Sequence, residues 1–490
     1  MSRIRTHRNA EFSIFVSLVE HAVHRIEARQ GRRLGAPAAD EATARAPRRS
    51  LGHVAHDLAV RIVSHRKKGE EPPAQPPTDL QEQHGSDLEM LWTCAKLSAE
   101  IVADKIRCRH EAAQAKHDEL KFSGCDPEWA EALLEYFEYF GLRGGRREIP
   151  YIRHQSMDDF VLDSLPENAV VAVVGDWGTG TDEAIAVLDA LARHQPDVVI
   201  HLGDIYYAGT ERETQAFFLD LLNKALARDT RPVPVYTLTG NHDMYSGGVG
   251  YYTLLPQLNP EPLYTAAQAQ PASYFALRNE AWQLLCMDTG LHDHDPLTVS
   301  TQVTWLEPSE EAWHVDKVGR FAATGGRTIL FSHHQLFSAF ERIGRLDDKP
   351  AGEEAANPKL LASLRKMQQA ALASGTDPAS REIAAWFWGH EHKLAVYEPY
   401  LGLARGRCLG HGAIPDFLET KSYLVDSELP DPPKLVADPA DPSQSLMLAS
   451  VDQVYAHGFL IVSLDDAQRR GTVRYYQETD WDRPMFEEEL

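Results

Sequence analysis

The chain has 490 residues, 43% hydrophobic and 25% charged, and carries 49 Lys and Arg against 72 Asp and Glu, for a net charge of −23. That composition is globular and long enough for more than one core, and so acidic a balance excludes a protein that coats extended nucleic acid, which needs net positive charge. No apolar run approaches the roughly 18 residues of a membrane-spanning helix, MSRIRTHRNA shows no secretory leader, and the five scattered cysteines form no CxxC pair, so neither a disulfide framework nor a cysteine zinc site is expected and a cytoplasmic location is the default.

Residues 1–70 hold 14 Lys and Arg against 7 Asp and Glu, a net +7, leaving −30 for the rest. Phe12, Phe15, Val19, Val23 and Ile26 recur at helical spacing within 11–29, and a shorter apolar-periodic stretch covers 54–63. EEPPAQPPTD at 70–79 is a linker, because proline cannot sit inside a helix; 86–123 reads as a long helix or helical pair, and Asp126-Pro127 opens another helix to Phe140. The expected organisation is therefore a mostly helical region over 1–165 and a second domain over 166–490. The N-terminal helices are a candidate for oligomerisation, partner binding, a lid or a structural cap.

The period changes after Glu167. AVVAVV (169–174) has the continuous β-branched character of a buried strand, followed by a helix at 181–194, a strand at 197–202, a helix at 211–228 and a strand at 234–238. Such a βαβαβ series implies right-handed crossovers and a largely parallel sheet, hence an α/β fold. Short strands follow at 273–277, 282–288, 327–332, 384–388 and 393–399, then a hairpin at 457–464 and 472–477; 429–445 is a proline-rich loop and Glu487–Glu489 a solvated acidic tail.

Five of these strands end in polar clusters: Gly175-Asp176-Trp177-Gly178, Gly203-Asp204-Ile205-Tyr206-Tyr207, Gly240-Asn241-His242-Asp243, His333-His334, and Gly389-His390-Glu391-His392. The carboxyl ends of strands in open α/β sheets line the ligand crevice, so the five converge on one rim. Two Asp, one Asn, one Tyr and three His form an oxygen and nitrogen donor set without thiolate, suited to Zn, Mn, Fe, Ni or Co. Seven donors are too many for one ion and suit two, with a carboxylate bridging the cations. His390 and His392 alternate with Glu391 on an extended segment, so both imidazoles share a face and Glu391 points away.

The ordered set GDxG, GDxxY, GNHD, a strand ending in His, and GHxH resembles the calcineurin-like metallophosphoesterase superfamily over about 168–480. GDxG with Gly178, and Tyr207 closing the second block, is similar to the purple acid phosphatase branch, in which tyrosine ligates ferric iron. The resemblance implies an αββα sandwich and two divalent or mixed-valence metal ions. It assigns Asp176, Asp204, Tyr207 and His392 to one ion, and Asp204, Asn241, His333 and His390 to the other, with Asp204 as bridge. It also implies hydrolysis of a phosphomonoester or phosphodiester. In-line attack would come from a water whose proton the cations release near neutral pH. His242 would protonate the leaving oxygen or hydrogen-bond a phosphoryl oxygen, Asp243 would orient it, and His411 and Tyr245 are candidate substrate contacts. A small phosphoester or a phosphoprotein is the expected substrate. The alternative from another class is a regulatory or scaffold protein that uses the metal site and the N-terminal helices for binding, against which the intact ligand set counts.

Overall fold

The computed structural model describes residues 135–136, 138–140, 147–228, 230–296, 303–451 and 453–490. The chain divides into two units, Met1–Phe137 and Glu138–Leu490. The helices expected at 11–29, 54–63 and 86–123 and the linker at 70–79 lie outside the described residues. Of the helix expected at 126–140, the described residues 135–136 and 138–140 are helical.

Fifteen strands follow in the described residues: β1 (Val161–Leu162), β2 (Val170–Val174), β3 (Val198–His201), β4 (Val235–Thr237), β5 (Phe275–Arg278), β6 (Trp282–Cys286), β7 (Arg327–Phe331), β8 (Ile383–Trp388), β9 (Leu394–Val396), β10 (Gly406–Leu409), β11 (Ser450–Val451), β12 (Val454–Tyr455), β13 (Gly458–Asp465), β14 (Arg470–Gln477) and β15 (Phe486–Glu489). One sheet runs β1-β5-β6-β7-β8-β10-β9 and another β15-β14-β13-β2-β3-β4, with β11-β12 a separate pair. The expected βαβαβ unit is present: β2 pairs with β3, and β3 with β4, in parallel.

Side-chain alternation builds the layers. Val171 and Val173 of β2 pack in one core with Ile329 and Phe331 of β7 and Phe387 of β8, which places this core between the two sheets. The intervening Ala172 and Val174 face a second core with Ala184, Val187 and Leu191 of the helix Asp182–Arg193, and with Leu254 and Leu258 of the helix Val249–Leu258. Leu330, Trp386 and Trp388 face a third core with Trp313 and Val318 of the helix Pro308–Ala323 and Leu360, Leu364 and Met367 of the helix Pro358–Ser374. Helix, sheet, sheet, helix is the expected αββα order. Strands buried on both faces explain why β2, β7 and β8 are nearly all apolar.

Several elements differ from the sequence reading. The helix expected over 211–228 is a short helical turn Glu211–Glu213, a π-helical stretch Thr214–Leu219 and a helix Asp220–Ala225. The helices Val249–Leu258, Pro308–Ala323 and Pro358–Ser374 were not anticipated. The acidic tail is only partly solvated: Glu487 and Glu489 are exposed and Glu488 is not. Phe486–Glu489 pairs with β14, and Glu488 forms a two-point ion pair with Arg407, at 2.7 Å from Nε and 2.6 Å from Nη2, because the buried guanidinium needs a carboxylate. No helix among the described residues is long and apolar enough to cross a membrane.

Candidate metal centre

The carboxyl ends of β2, β3 and β4 from one sheet meet those of β7 and β8 from the other, and the five polar clusters lie at these ends. Asp176, Asp204 and His390 hold their backbones in the left-handed region, with φ of 52°, 69° and 70°, a conformation that non-glycine residues adopt at a cost and that is concentrated at functional sites. Gly240 is needed for close approach: a Cβ there would stand 2.0 Å from Asp204 Oδ1.

Two groups of side chains can each offer atoms to one ion, Asp176 with Asp204 and His392, and His333 with His334 and His390. In the first, the Tyr206 hydroxyl donates to Asp176 Oδ1 at 2.9 Å and to Asp204 Oδ2 at 3.1 Å and lies 2.9 Å from His392 Nε2, which is 3.4 Å from Asp176 Oδ1. In the second, Asn241 Oδ1 is 3.1 Å from His390 Nδ1 and 3.3 Å from His333 Nε2; His333 Nε2 is also 3.2 Å from His390 Nδ1 and 3.4 Å from Asp204 Oδ2. An ion bound at about 2.1 Å has neighbouring donor atoms about 3.0 Å apart in an octahedron and about 3.4 Å apart in a tetrahedron. Both groups have these edge lengths, and Asp204 Oδ2, of the first group, stands 3.4 Å from His333 Nε2 of the second.

Orientation within the second group is fixed from outside. His333 Nδ1 lies 3.0 Å from the Leu202 carbonyl, which can only accept, so Nδ1 carries the proton and Nε2 presents its lone pair inward. Asn241 Nδ2 donates to the Tyr245 hydroxyl at 2.6 Å, leaving Oδ1 for the site. His334 has both ring nitrogens engaged, Nδ1 with Thr289 Oγ1 at 3.0 Å and Nε2 with Asp293 Oδ2 at 2.9 Å. His333 thus turns its free lone pair inward while both His334 nitrogens are engaged elsewhere, although His334 lies close enough to be grouped with it.

The electrostatics suit cations. Burial, then the neighbouring Asp176 and Asp243 carboxylates, push Asp204 well above the usual carboxylate range. Burial pushes His333 well below the usual imidazole range and His390 down to about 4, so both are neutral lone-pair donors. A buried carboxylate pair ringed by neutral imidazoles is costly by itself, and its negative charge and lone pairs are what a multivalent cation removes from that cost.

Several expected roles are relocated. The phenol between the carboxylates is that of Tyr206, not Tyr207. The Tyr207 backbone is pinned instead, its N–H to Glu213 Oε1 at 2.5 Å and its carbonyl to His242 Nδ1 at 2.7 Å. Asp243 does not orient the His242 ring. Its Oδ2 accepts from the Asp204 and Gly240 N–H groups at 2.9 and 2.8 Å and its Oδ1 from the Ile205 N–H at 3.2 Å, tying together the two loops that carry Asp204 and Asn241. Tyr245 is buried, accepts from Asn241 and packs its ring 4.7 Å from that of His242, while His411 is buried beside Gly458. Glu391 points away from the donors, as expected, and accepts from Ser338 Oγ at 2.6 Å. His242 faces inward, its Nε2 4.0 Å from Asp204 Oδ2, and burial pushes it down to about 4. Sequence reasoning missed Tyr206, because YY in an extended turn does not say which ring faces in, and it missed Glu213, although Thr210-x-x-Glu213 is a capping-box signature.

Residues 169–394 match the family model of the calcineurin-like phosphoesterases. No curated protein matches the chain. Similar solved structures include GAP50, the anchor in the inner membrane complex of Plasmodium, at 12% identity and a TM-score of 0.40, covering 66% of this chain and 88% of that one. Another is a dimetal phosphatase from Danio rerio at 13% identity and a TM-score of 0.35, covering 66% of this chain and 98% of that one. The matched residues contain both donor groups, and over this stretch the chain is similar to the calcineurin-like phosphoesterases.

Proposed function

We propose that the protein is a metal-dependent phosphoric ester hydrolase with a two-ion centre, acting on a phosphomonoester or phosphodiester carried by a small molecule or a phosphoprotein. The observation that carries this reading is the sharing of Asp204 Oδ2 by two donor sets with coordination-edge spacing, 3.1 Å from the Tyr206 hydroxyl on one side and 3.4 Å from His333 Nε2 on the other. Asp176, Tyr206 and His392 would complete one ion's set, and Asn241, His333 and His390 the other's. When bound, the cations supply the positive charge that neutralises phosphoryl oxygens and acidifies water. The protein's own groups do the rest. Asp243 holds the Asp204 and Asn241 loops at a fixed separation. The Leu202 carbonyl keeps His333 Nε2 free. His242, with Nδ1–H held by the Tyr207 carbonyl, aims Nε2 into the cleft, where a proton taken up with an anionic phosphoryl group would be directed at a phosphoryl or leaving oxygen.

The test is hydrolysis of aryl phosphomonoesters and phosphodiesters by the full chain supplied with Mn, Zn or Fe, beside Asp204→Ala. Metal-dependent turnover abolished in the variant supports the reading. No metal-dependent turnover of either ester class overturns it.

A further inference from the structure

The helical turn Glu211–Glu213 lies outside every motif of the site, yet its last residue reaches into it through one peptide group. Glu213 accepts four hydrogen bonds: from the Tyr207 N–H at Oε1 (2.5 Å), and at Oε2 from the Ala208 N–H (3.3 Å), the Thr210 N–H (2.9 Å) and the Thr210 hydroxyl (2.8 Å). One of these, from the Thr210 N–H, is half of the capping box of the turn, which the Thr210 hydroxyl completes by accepting from the Glu213 N–H at 3.3 Å. The Tyr207 and Ala208 bonds are not required by a cap. The peptide unit joining Tyr207 to Ala208 gives its N–H to Glu213 and its carbonyl to His242 Nδ1 at 2.7 Å, and both residues are buried, at 2% and 1% exposure. A carboxylate on the N–H end of a buried peptide polarises the carbonyl at the other end and strengthens the bond that carbonyl accepts.

We propose that Glu213 is a positioning residue for His242, acting through the 207–208 peptide to hold the imidazole in its Nδ1–H form with Nε2 turned toward Asp204. The carboxylate, the peptide and the imidazole form one line of hydrogen bonds. The peptide stands where a carboxylate contacts histidine directly in other catalytic pairs. The functional half of this inference rests on the hydrolase reading, and the tautomer half does not.

The test uses the full-length protein labelled with [15N]histidine and supplied with diamagnetic zinc, the His242 signals being assigned by their loss in His242→Ala. In the wild type, His242 shows a protonated Nδ1 and an unprotonated Nε2. In Glu213→Ala the signals move toward the Nε2–H form or a mixture, and kcat for the aryl ester falls about 10-fold or more with little change in KM, the size usual for a partner one step removed from the reacting groups. Glu213→Gln, which keeps one acceptor oxygen, restores part of both and stands in if the alanine variant does not fold. Thr210→Ala breaks the reciprocal cap and leaves the Tyr207 and Ala208 bonds, so it lowers stability without moving the tautomer. An unchanged His242 tautomer in both Glu213 variants overturns the proposal, as does a Thr210→Ala shift equal to that of Glu213→Ala. If the wild type turns over no ester, the hydrolase reading fails while the tautomer readout still decides the role of Glu213.

Discussion

Removing the Asp243 carboxylate should unfasten two of the site's loops at once. It is 1% exposed and accepts from three backbone N–H groups: Asp204 and Gly240 at one oxygen, Ile205 at the other. In Asp243→Ala all three donors are left buried without an acceptor, and each such group costs about 1–3 kcal/mol, so the loss is about 3–9 kcal/mol against a domain stability of about 5–15. Asp243→Asn behaves differently. Its single carbonyl oxygen can occupy the Oδ2 position and keep the Asp204 and Gly240 donors, leaving only the Ile205 N–H, 3.2 Å from Oδ1, facing an amide NH2. That variant should lose only about 1–3 kcal/mol. The assay is equilibrium urea unfolding of the full chain with a chelator present throughout, so that metal linkage does not enter. A loss below about 1 kcal/mol in Asp243→Ala, or equal losses in the two variants, would refute the assignment of this carboxylate as the tie between the loops.

Three further outcomes follow from other parts of the molecule. Burial pushes His201 down to about 3, whereas an unfolded imidazole titrates near 6.5, so the unfolded chain takes up the proton first and the contribution of His201 is lost as pH falls below about 6.5. Between pH 7.5 and pH 5 the wild type should lose about 2 kcal/mol more than His201→Gln in urea unfolding, and an equal or smaller loss contradicts this. Glu488→Ala leaves the Arg407 guanidinium, 3% exposed, without the carboxylate that meets it at 2.6 and 2.7 Å, and should cost about 3–5 kcal/mol by thermal or urea unfolding; a cost below about 1 kcal/mol would restore the view of a solvated tail. In Gly240→Ala the new Cβ, placed 2.0 Å from Asp204 Oδ1, must displace that carboxylate, so metal bound per chain should fall and full metal content would contradict the geometry.

Much of this fold is legible in the sequence because its inner strands are buried on both faces. β2, β3, β7 and β8 announce themselves as continuous apolar runs, and the polar residues directly after them mark the rim. The helix Pro308–Ala323 is hidden for the opposite reason. Glu310, His314 and Lys317 occupy its buried face beside Trp313 and Val318, which breaks the apolar period. Their partners make this possible: Tyr151 donates to Glu310, His314 pairs with Glu310 at 3.0 Å, and Lys317 reaches the Met157 carbonyl. None of these is local in sequence except the His314–Glu310 pair. The donor residues are legible by type and order, but their orienting partners are not. Whether Tyr206 or Tyr207 faces the carboxylates depends on backbone bonds to Glu213 and His242, and the role of Asp243 depends on three N–H groups, two of them nearly forty residues away in the chain.

The most direct measurement is the metal content of the purified full chain by elemental mass spectrometry, in the wild type, Asn241→Ala and Asp204→Ala. Two ions per wild-type chain, about one in Asn241→Ala and close to none in Asp204→Ala are the predicted result, since Asp204 Oδ2 stands in both donor sets and Asn241 in one. A wild-type chain that binds no metal, or an Asp204→Ala variant that retains two ions, would contradict the shared centre.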